Sequence, residues 1–425
     1  MNASVSSLLI RALGFLLSAG QTIVLARVLG AEDLGVYAGI LALITILATP
    51  SSIGLSGFLT RELAHSKVAN DFENARGLVR STNALFFLYS CLSIMALIVL
   101  VEVQIFPENG IMYIALSTIM IILLGLDQLR AGAMRGMGSA LLSQFPDVLI
   151  RPGVFIIGVL FFAWVVDGFN VTHALLAFIV GAMLASLFGQ FFLHRQLGGY
   201  KPLKKVKISV PFYQSRGLIL LGLLGTIQTN IDIALLSFFS FHVEAGLYRV
   251  ALLGIMAILF VYNAVSAITV RDLAVSIATN NRIATFAASD RLTVFGTLAA
   301  LMATIVYIIV GAPAIQIIFG AEFRDANQAL IVLGIGHVVA IACGPAIEII
   351  RLLPSQKIGV IINAISIVLS VVLSVALLGW NPLLAVATGS AVGNVFRRLL
   401  LSFYILKYLG GNTTIVGAIH RLSKR

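Results

Sequence analysis

Long apolar segments alternate with short polar segments along the whole chain. About twelve of the apolar segments are roughly 20 residues long. A helix of this length crosses the hydrocarbon core of a bilayer, which is about 30 Å thick. The pattern predicts membrane-spanning helices at 5–29, 36–58, 82–103, 111–129, 141–165, 172–193, 211–239, 246–268, 292–312, 326–349, 358–379 and 383–406. Six spans fall in each half of the chain.

The two halves repeat one design, because sequence features of the first half recur about 210 residues later. The matching stretches are Gly35-Val36-Tyr37 with Gly246-Leu247-Tyr248, Arg61-Glu62-Leu63-Ala64 with Arg271-Asp272-Leu273-Ala274, Arg80 with Arg291, Arg11 with Arg216, and Asp127 and Arg130 with Glu348 and Arg351. We therefore predict an all-α polytopic membrane protein with about twelve helices in two six-helix repeats. The N-terminal lobe would cover 1–206, the C-terminal lobe 207–408 and a cytoplasmic tail 409–425.

Composition supports the membrane assignment and excludes several other classes. The chain is 60% hydrophobic and 11% charged, with a mean hydropathy of +1.05, which leaves too little polar surface for a soluble globule of this size. No phosphate-binding GxxxxGK[ST] motif occurs, which argues against an ATP-driven pump. Cys91 and Cys343 lie in apolar stretches and the histidines are scattered, so we predict neither a disulfide nor a metal site.

The basic residues set the predicted orientation. Lysine and arginine together number 28 against 17 acidic residues, giving a net charge of +11. With the N-terminus inside the cell, most of the basic residues fall in cytoplasmic loops, as the positive-inside rule requires. Both termini are therefore predicted to be cytoplasmic. The positive charge is explained by topology and by contact with membrane lipids, so no nucleic-acid partner is predicted.

Charged residues inside predicted spans are the candidate functional residues, because a charge in lipid is costly unless it faces protein or a water-filled path. Asp147 and Arg151 lie four residues apart in the fifth span, beside Pro152, and can pair on one helical face. They form either a structural salt bridge beside a kink or part of a cavity wall. Asp147 is also a candidate for ion coupling.

The twelfth span carries a polar stripe. Ser390, Asn394, Arg397 and Arg398 recur at helical spacing without an acidic residue in the same span. An anionic ligand would supply the missing charge. The alternative is that the two arginines extend to the cytoplasmic interface.

The repeat and the predicted depth in the membrane indicate two further pairs of candidate functional residues. Arg11 and Arg216 occupy equivalent positions on the first and seventh spans and would clamp a pyrophosphate near the cytoplasmic mouth, or else anchor each span at the interface. Asp232 and Arg249 would reach a similar depth and pair. Asp232 would otherwise carry a coupling proton or sodium ion, and no other cofactor is predicted.

Several motifs resemble one transporter family. The first two spans of this chain and the residues next to them carry motifs that resemble the N-terminal signature of the family: Arg27-Val28-Leu29-Gly30, Gly35-Val36-Tyr37, Gly54-Leu55-Ser56 and Arg61-Glu62. Asp232 and the Gly246-Leu247-Tyr248 turn look like the seventh and eighth spans of that family. The chain thus resembles the polysaccharide-transporter branch of the multidrug, oligosaccharidyl-lipid and polysaccharide exporter superfamily.

The resemblance implies two lobes around a central cavity and a non-enzymatic flippase in the bacterial inner membrane. Its substrate would be a polyprenyl-pyrophosphate-linked oligosaccharide, an O-antigen or capsule repeat unit, moved to the periplasmic leaflet by alternating access. Arg11, Arg151, Arg216, Arg397 and Arg398 would bind the pyrophosphate, and a polysaccharide polymerase and a chain-length regulator would be partners. Two alternatives stay open: a cation-coupled multidrug exporter of the same superfamily, and a membrane polysaccharide polymerase or ligase.

Overall fold

The computed structural model describes residues 3–102, 110–197, 206–279, 281–352 and 357–422. Helices account for all the regular structure in these ranges, and no strand occurs within them. Contacts within the chain group it into two compact units, residues 1–242 and 243–425. The predicted all-α fold is confirmed.

The first unit is built from long helices joined by short turns. It comprises α1 (Ala3–Val68), α2 (Phe72–Glu102), α3 (Gly110–Gly136), α4 (Ala140–Phe145), a π-helical turn (Pro146–Ile150), α5 (Arg151–Val165), α6 (Val171–Leu197) and α7 (Ser209–Phe238). An apolar core that includes Leu55, Phe58, Leu85, Phe86 and Leu129 joins α1, α2 and α3.

The second unit has the same style of construction. It comprises α8 (His242–Ala278), α9 (Arg282–Phe319), a 3₁₀ turn (Ala321–Phe323), α10 (Ala326–Ala342), α11 (Ala346–Leu352), α12 (Lys357–Leu377), α13 (Pro382–Leu409) and α14 (Ile415–Leu422). A core that includes Leu273, Ile349, Ile362, Leu401 and Ile405 joins α8, α11, α12 and α13.

Ten helical segments of the described ranges are long and apolar enough to cross a membrane. One of them is α1, whose backbone leaves helical geometry at Gly30 (φ 76°), so that the pieces before and after this residue are each long enough to span. Helix α13 adds a further candidate, because its 28 residues would reach about 42 Å although two arginines lower its hydropathy. The helices thus account for all twelve predicted spans, and the protein is a membrane protein.

The turn at Gly30 and the contacts of α7 organise the first unit. A positive φ of this kind is open to glycine and strained for other residues, which explains why the break falls there. Helix α7 packs mainly along α1. Small residues allow this approach, since Gly54 lies against Ile219 and Gly222 lies against Ile53.

The polar segments after the second and eighth predicted spans are also largely helical. Helix α1 continues to Val68 and α2 begins at Phe72, and in the second unit α8 continues to Ala278 and α9 begins at Arg282. Both second helices are capped at the N-terminus: Asp71 accepts a hydrogen bond from the Asn74 amide, and Asn281 accepts one from the Ala284 amide. The two units therefore repeat the same helical hairpin.

The predicted lobes and the observed units are defined differently. The lobe boundary at 206/207 follows the sequence repeat, whereas α7 belongs to the first unit by its contacts with α1. The lobe boundary therefore stays a prediction from the repeat.

Candidate functional site

In the described part of the chain, each unit contains a cluster of charged and polar side chains within its helices. In the first unit it consists of Asp127, Arg130, Asp147 and Arg151, which we call the Arg130 cluster. In the second unit it consists of Tyr262, Glu348, Asn363, Asn394, Arg397 and Arg398, which we call the Arg398 cluster. They contain four of the eight residues that the sequence selected.

Arg130 is the most deeply buried member of its cluster, with 1% of its surface exposed. Its Nε atom lies 3.6 Å from Oδ1 of Asp127, and one terminal nitrogen lies 3.4 Å from Oδ1 of Asp147. Asp127 is buried to the same degree. An arginine so enclosed requires counter-charge, and the two carboxylates supply it.

The fifth span is irregular where it contributes to this cluster. Pro146 opens a π-helical turn, and the Arg151 amide donates to the Pro146 carbonyl at the end of that turn. The predicted pair is present, with 3.8 Å between Arg151 and Oδ1 of Asp147, and the Arg151 guanidinium lies 5.7 Å from the ring centre of Phe178. Asp147 therefore bridges Arg130 and Arg151. Single π-helical turns occur often at functional sites.

A small cavity borders Arg130 between α1, α2, α3 and α6. Its volume is about 30 Å³, enough for about two water molecules. Asn83 and Gln190 are its other polar lining residues, and the rest of the lining is apolar. The cavity can hydrate one side of the buried guanidinium but is far too small for a sugar.

The second cluster forms where the tenth predicted span is broken. Helix α10 ends at Ala342, Gly344 has a φ of 92°, and α11 begins after Pro345. Helix α13 donates to two carbonyl groups at the break: Ser402 Oγ to Cys343 O at 2.8 Å and Arg398 to Gly344 O at 3.3 Å. The Gly344 carbonyl also accepts a hydrogen bond of 2.9 Å from the Ala346 amide. Irregular backbone inside a membrane requires such partners.

Glu348 supplies the counter-charge for Arg398. One Glu348 oxygen lies 3.5 Å from the Arg398 guanidinium, and the other accepts a hydrogen bond of 3.1 Å from the Tyr262 hydroxyl. The guanidinium also lies 5.8 Å from the centre of the Tyr262 ring. Arg398 is thus buried and paired with Glu348 within the protein.

Arg397 points to a different set of groups. Its two terminal nitrogens donate to the side-chain oxygens of Asn363, at 3.1 Å, and Asn394, at 2.7 Å. Arg397 remains partly exposed. The predicted polar stripe therefore divides into a buried charge pair at Arg398 and an amide-supported arginine at Arg397.

The remaining selected residues are Arg11, Arg216, Asp232 and Arg249. Arg216 is exposed on α7, and no described side chain pairs with it. The side chain of Arg11 lies outside the described residues. Asp232 is buried in the first unit and Arg249 is partly exposed in the second. Their predicted pairing stays a prediction.

Sequence reasoning missed the Glu348 to Arg398 pair and the part played by Tyr262. It matched Glu348 and Arg351 to Asp127 and Arg130 of the first half, and the Arg351 side chain lies outside the described residues. The available signal was the Gly344-Pro345 dipeptide, which marks a break inside an otherwise apolar span. Nothing in the sequence places Tyr262 beside Glu348, since 86 residues separate them.

Solved structures with the same fold are membrane transporters. An inward-facing multidrug resistance MATE family transporter of the MOP superfamily has a TM-score of 0.77 and 16% identity, covering 93% of this chain and 94% of that one. The lipid II flippase MurJ, in an inward closed conformation, has a TM-score of 0.71 and 12% identity, covering 95% and 87%. A MOP superfamily transporter from Pyrococcus furiosus, described as having a binding pocket of reverse polarity, has a TM-score of 0.60 and 16% identity, covering 96% and 94%.

A search of curated protein sequences found no match. The sequence model of one family, described as polysaccharide biosynthesis protein, matches residues 2–270. That range is more than half of the chain, and the fold agrees with the superfamily that the sequence motifs resemble. The chain belongs to the polysaccharide biosynthesis protein family and has the fold of the MOP superfamily transporters.

Proposed function

We propose that the protein is a flippase for a polyprenyl-pyrophosphate-linked oligosaccharide, an O-antigen or capsule repeat unit. The observation that carries the proposal is the match to the polysaccharide biosynthesis family on a fold that a lipid flippase also has. The substrate would enter from the cytoplasmic leaflet of a bacterial inner membrane. It would leave in the periplasmic leaflet, where a polysaccharide polymerase and a chain-length regulator would act on it.

The mechanism we propose is alternating access by the two six-helix lobes, 1–206 and 207–408. The pyrophosphate carries the negative charge of the substrate, and an arginine fork matches its oxygen atoms. Arg11, Arg151, Arg216, Arg397 and Arg398 are the proposed binding residues. The lipid tail would stay in the bilayer while the sugar crosses between the lobes.

The contacts of these arginines suggest an order of importance. Arg398 and Arg151 already face the carboxylates of Glu348 and Asp147, so a good part of their charge is balanced within the protein. Arg216 is exposed and has no described counter-ion. Arg397 is partly exposed and oriented by two amides. We expect Arg216 and Arg397 to be more accessible to the pyrophosphate than the buried Arg398.

Energy for directional transport would come from a proton or a sodium ion. Asp147 and Asp232 are the proposed coupling carboxylates, with Arg249 as the predicted partner of Asp232. This part of the proposal rests on charges within the spans, which are costly to place there without a function or a partner.

The arginine assignments can be tested by replacing Arg216 and Arg397 singly with alanine. Loss of one charge-assisted contact, about 1.5 to 3 kcal/mol, would lower transport roughly 10-fold or more in reconstituted vesicles. Arg80→Ala is the matched control, because Arg80 is also an exposed arginine but lies on a polar segment of α2. Wild-type transport in folded Arg216→Ala and Arg397→Ala proteins would remove these residues from the mechanism.

A cation-coupled multidrug exporter is the second candidate, because a multidrug transporter has the same fold with a TM-score of 0.77. Such an exporter would move organic cations and would need acidic residues in its path. The residues that this chain places inside its spans include more arginines than carboxylates, which favours an anionic substrate.

A further inference from the structure

The last helix of the chain, α14, is attached to the second unit by its charged side. Arg421 makes two hydrogen bonds to the carboxylate of Asp290 on α9, at 2.9 and 2.5 Å. The guanidinium lies 4.8 Å from the ring centre of Phe286, also on α9. Ala418, which faces the same way, is fully buried.

The segment before α14 is equally well fixed. Helix α13 ends at Gly410 in a left-handed conformation, and the Thr414 amide donates to Asn412 Oδ1. The carbonyl of Thr413 accepts a hydrogen bond of 3.3 Å from Thr293 on α9. Residues 410–422 therefore form an ordered part of the unit.

The outward face of α14 carries two large apolar side chains beside the exposed His420. Val416 is 70% exposed and Ile419 is 58% exposed, and the two lie three positions apart on one side of the helix. A helix that covers a water-soluble surface usually buries its apolar side and exposes its charges. On α14 Val416 and Ile419 are exposed while Arg421 is paired with Asp290, which favours an apolar medium against this side of the helix.

The position of α14 identifies that medium. Helix α13 is a membrane span, and only residues 410–414 separate it from α14. Five residues can reach at most about 18 Å when fully extended. The start of α14 therefore lies within about 18 Å of the end of this span, on the side that the predicted topology makes cytoplasmic.

Charge around α14 favours negatively charged lipids. Arg282 and Lys407 are exposed on the helices next to it. Lys424 and Arg425 follow it in the sequence, and the chain contains no acidic residue after Glu348. Basic residues at a membrane surface are attracted to anionic head groups, and an apolar helix face among them inserts at the interface.

We propose that α14 is an interfacial helix that inserts Val416 and Ile419 into the cytoplasmic leaflet among anionic lipids. The Asp290 to Arg421 pair holds it against α9, so that the leaflet contacts the inner end of the second unit. This inference does not depend on the transported substrate.

The test places a tryptophan on the apolar face of the full-length protein. Ile419→Trp is made in a background with Trp164 and Trp380 replaced by phenylalanine, and the protein is reconstituted into phosphatidylcholine vesicles with or without an equal part of phosphatidylglycerol. Quenching by brominated lipids is compared with quenching by aqueous iodide. Glu73→Trp in the same background is the control, because Glu73 is exposed in the polar first turn of α2.

The proposal predicts a blue-shifted emission for Ile419→Trp, strong quenching by brominated lipid and weak quenching by iodide. It also predicts stronger lipid quenching with phosphatidylglycerol present. The control should be quenched by iodide. Quenching of Ile419→Trp by iodide alone overturns the insertion. Quenching by neither agent also overturns it, and is the result expected if a second copy of the chain covers this face. Equal lipid quenching in both vesicles overturns the preference for anionic lipid. Val416→Trp should repeat the result if Ile419→Trp does not fold.

Discussion

Single residues within the membrane spans of this protein are held by charge and by shape together. In the first unit Arg130 lies between Asp127 and Asp147, and in the second Arg398 lies beside Glu348. Asp127 and Glu348 are equivalent positions of the sequence repeat. Each repeat therefore has a carboxylate that balances a buried arginine. In the first unit both residues are on α3, whereas in the second Glu348 is on α11 and Arg398 is on α13.

Replacing Glu348 with alanine should leave Arg398 buried without its counter-charge. Breaking a buried pair in this way costs about 3 to 5 kcal/mol, so the thermal unfolding temperature of the purified protein should fall markedly. Glu62→Ala is the control, because Glu62 pairs with an arginine whose side chain is 53% exposed, and such pairs contribute less than about 1 kcal/mol. Equal unfolding temperatures for the two variants would show that Glu348 does not stabilise the unit.

The Arg130 guanidinium packs directly against Gly189. A Cβ atom on Gly189 would collide with the Arg130 guanidinium. Gly189→Val should therefore displace the guanidinium from its carboxylates and destabilise the protein by about 1 to 3 kcal/mol. Gly153→Ala is the matched control, since a Cβ at Gly153 meets no atom within 4 Å. Thermal unfolding measures both, and a Gly189→Val protein as stable as the control would contradict the packing account.

Helices in this chain follow the apolar pattern closely, but their breaks do not. The spans could be predicted from the sequence because length and hydropathy decide them, and each predicted span lies largely within an observed helix. The break at Cys343 to Pro345 is marked locally by the Gly344-Pro345 dipeptide, but the α13 partners of its carbonyls, Ser402 and Arg398, lie more than 50 residues away and could not be predicted. Partners so distant in sequence leave no local pattern.

The same limit applies to the candidate site. The pair of Asp147 and Arg151 could be predicted because four residues on one helix bring side chains together. The partner of Arg398 could not, because it depends on how α11 and α13 pack. For Arg397 the sequence predicts a polar stripe that includes Asn394. The hydrogen bond from Arg397 to Asn363 on α12 depends on how the helices pack and could not be predicted.

Contact between α1 and α7 gives a prediction at the scale of elements. A Cβ on Gly54 would lie 2.6 Å from the backbone nitrogen and the Cα of Ile219, atoms that cannot move without shifting α7. Gly54→Val should therefore separate the two helices and lower the unfolding temperature. Gly217→Ala on α7 is the control, because nothing lies within 4 Å of its added Cβ. An unchanged unfolding temperature for Gly54→Val would mean that the helices do not pack as described.

At the scale of the whole molecule, the chain belongs to a polysaccharide biosynthesis family and has a fold shared by a flippase and by a multidrug transporter. The fold alone does not separate these two activities. The charges within the spans do separate them in our proposal, because arginines suit an anionic pyrophosphate and disfavour an organic cation. The central claim is therefore a claim about the substrate.

The most direct test is movement of a polyprenyl-pyrophosphate-linked oligosaccharide between leaflets of proteoliposomes, with uptake of an organic-cation dye measured on the same vesicles. Protein-dependent movement of the lipid-linked sugar, without dye uptake, is the result we predict. Dye uptake driven by an ion gradient, with the sugar lipid stationary, would contradict the account and assign the protein to the cation-coupled exporters.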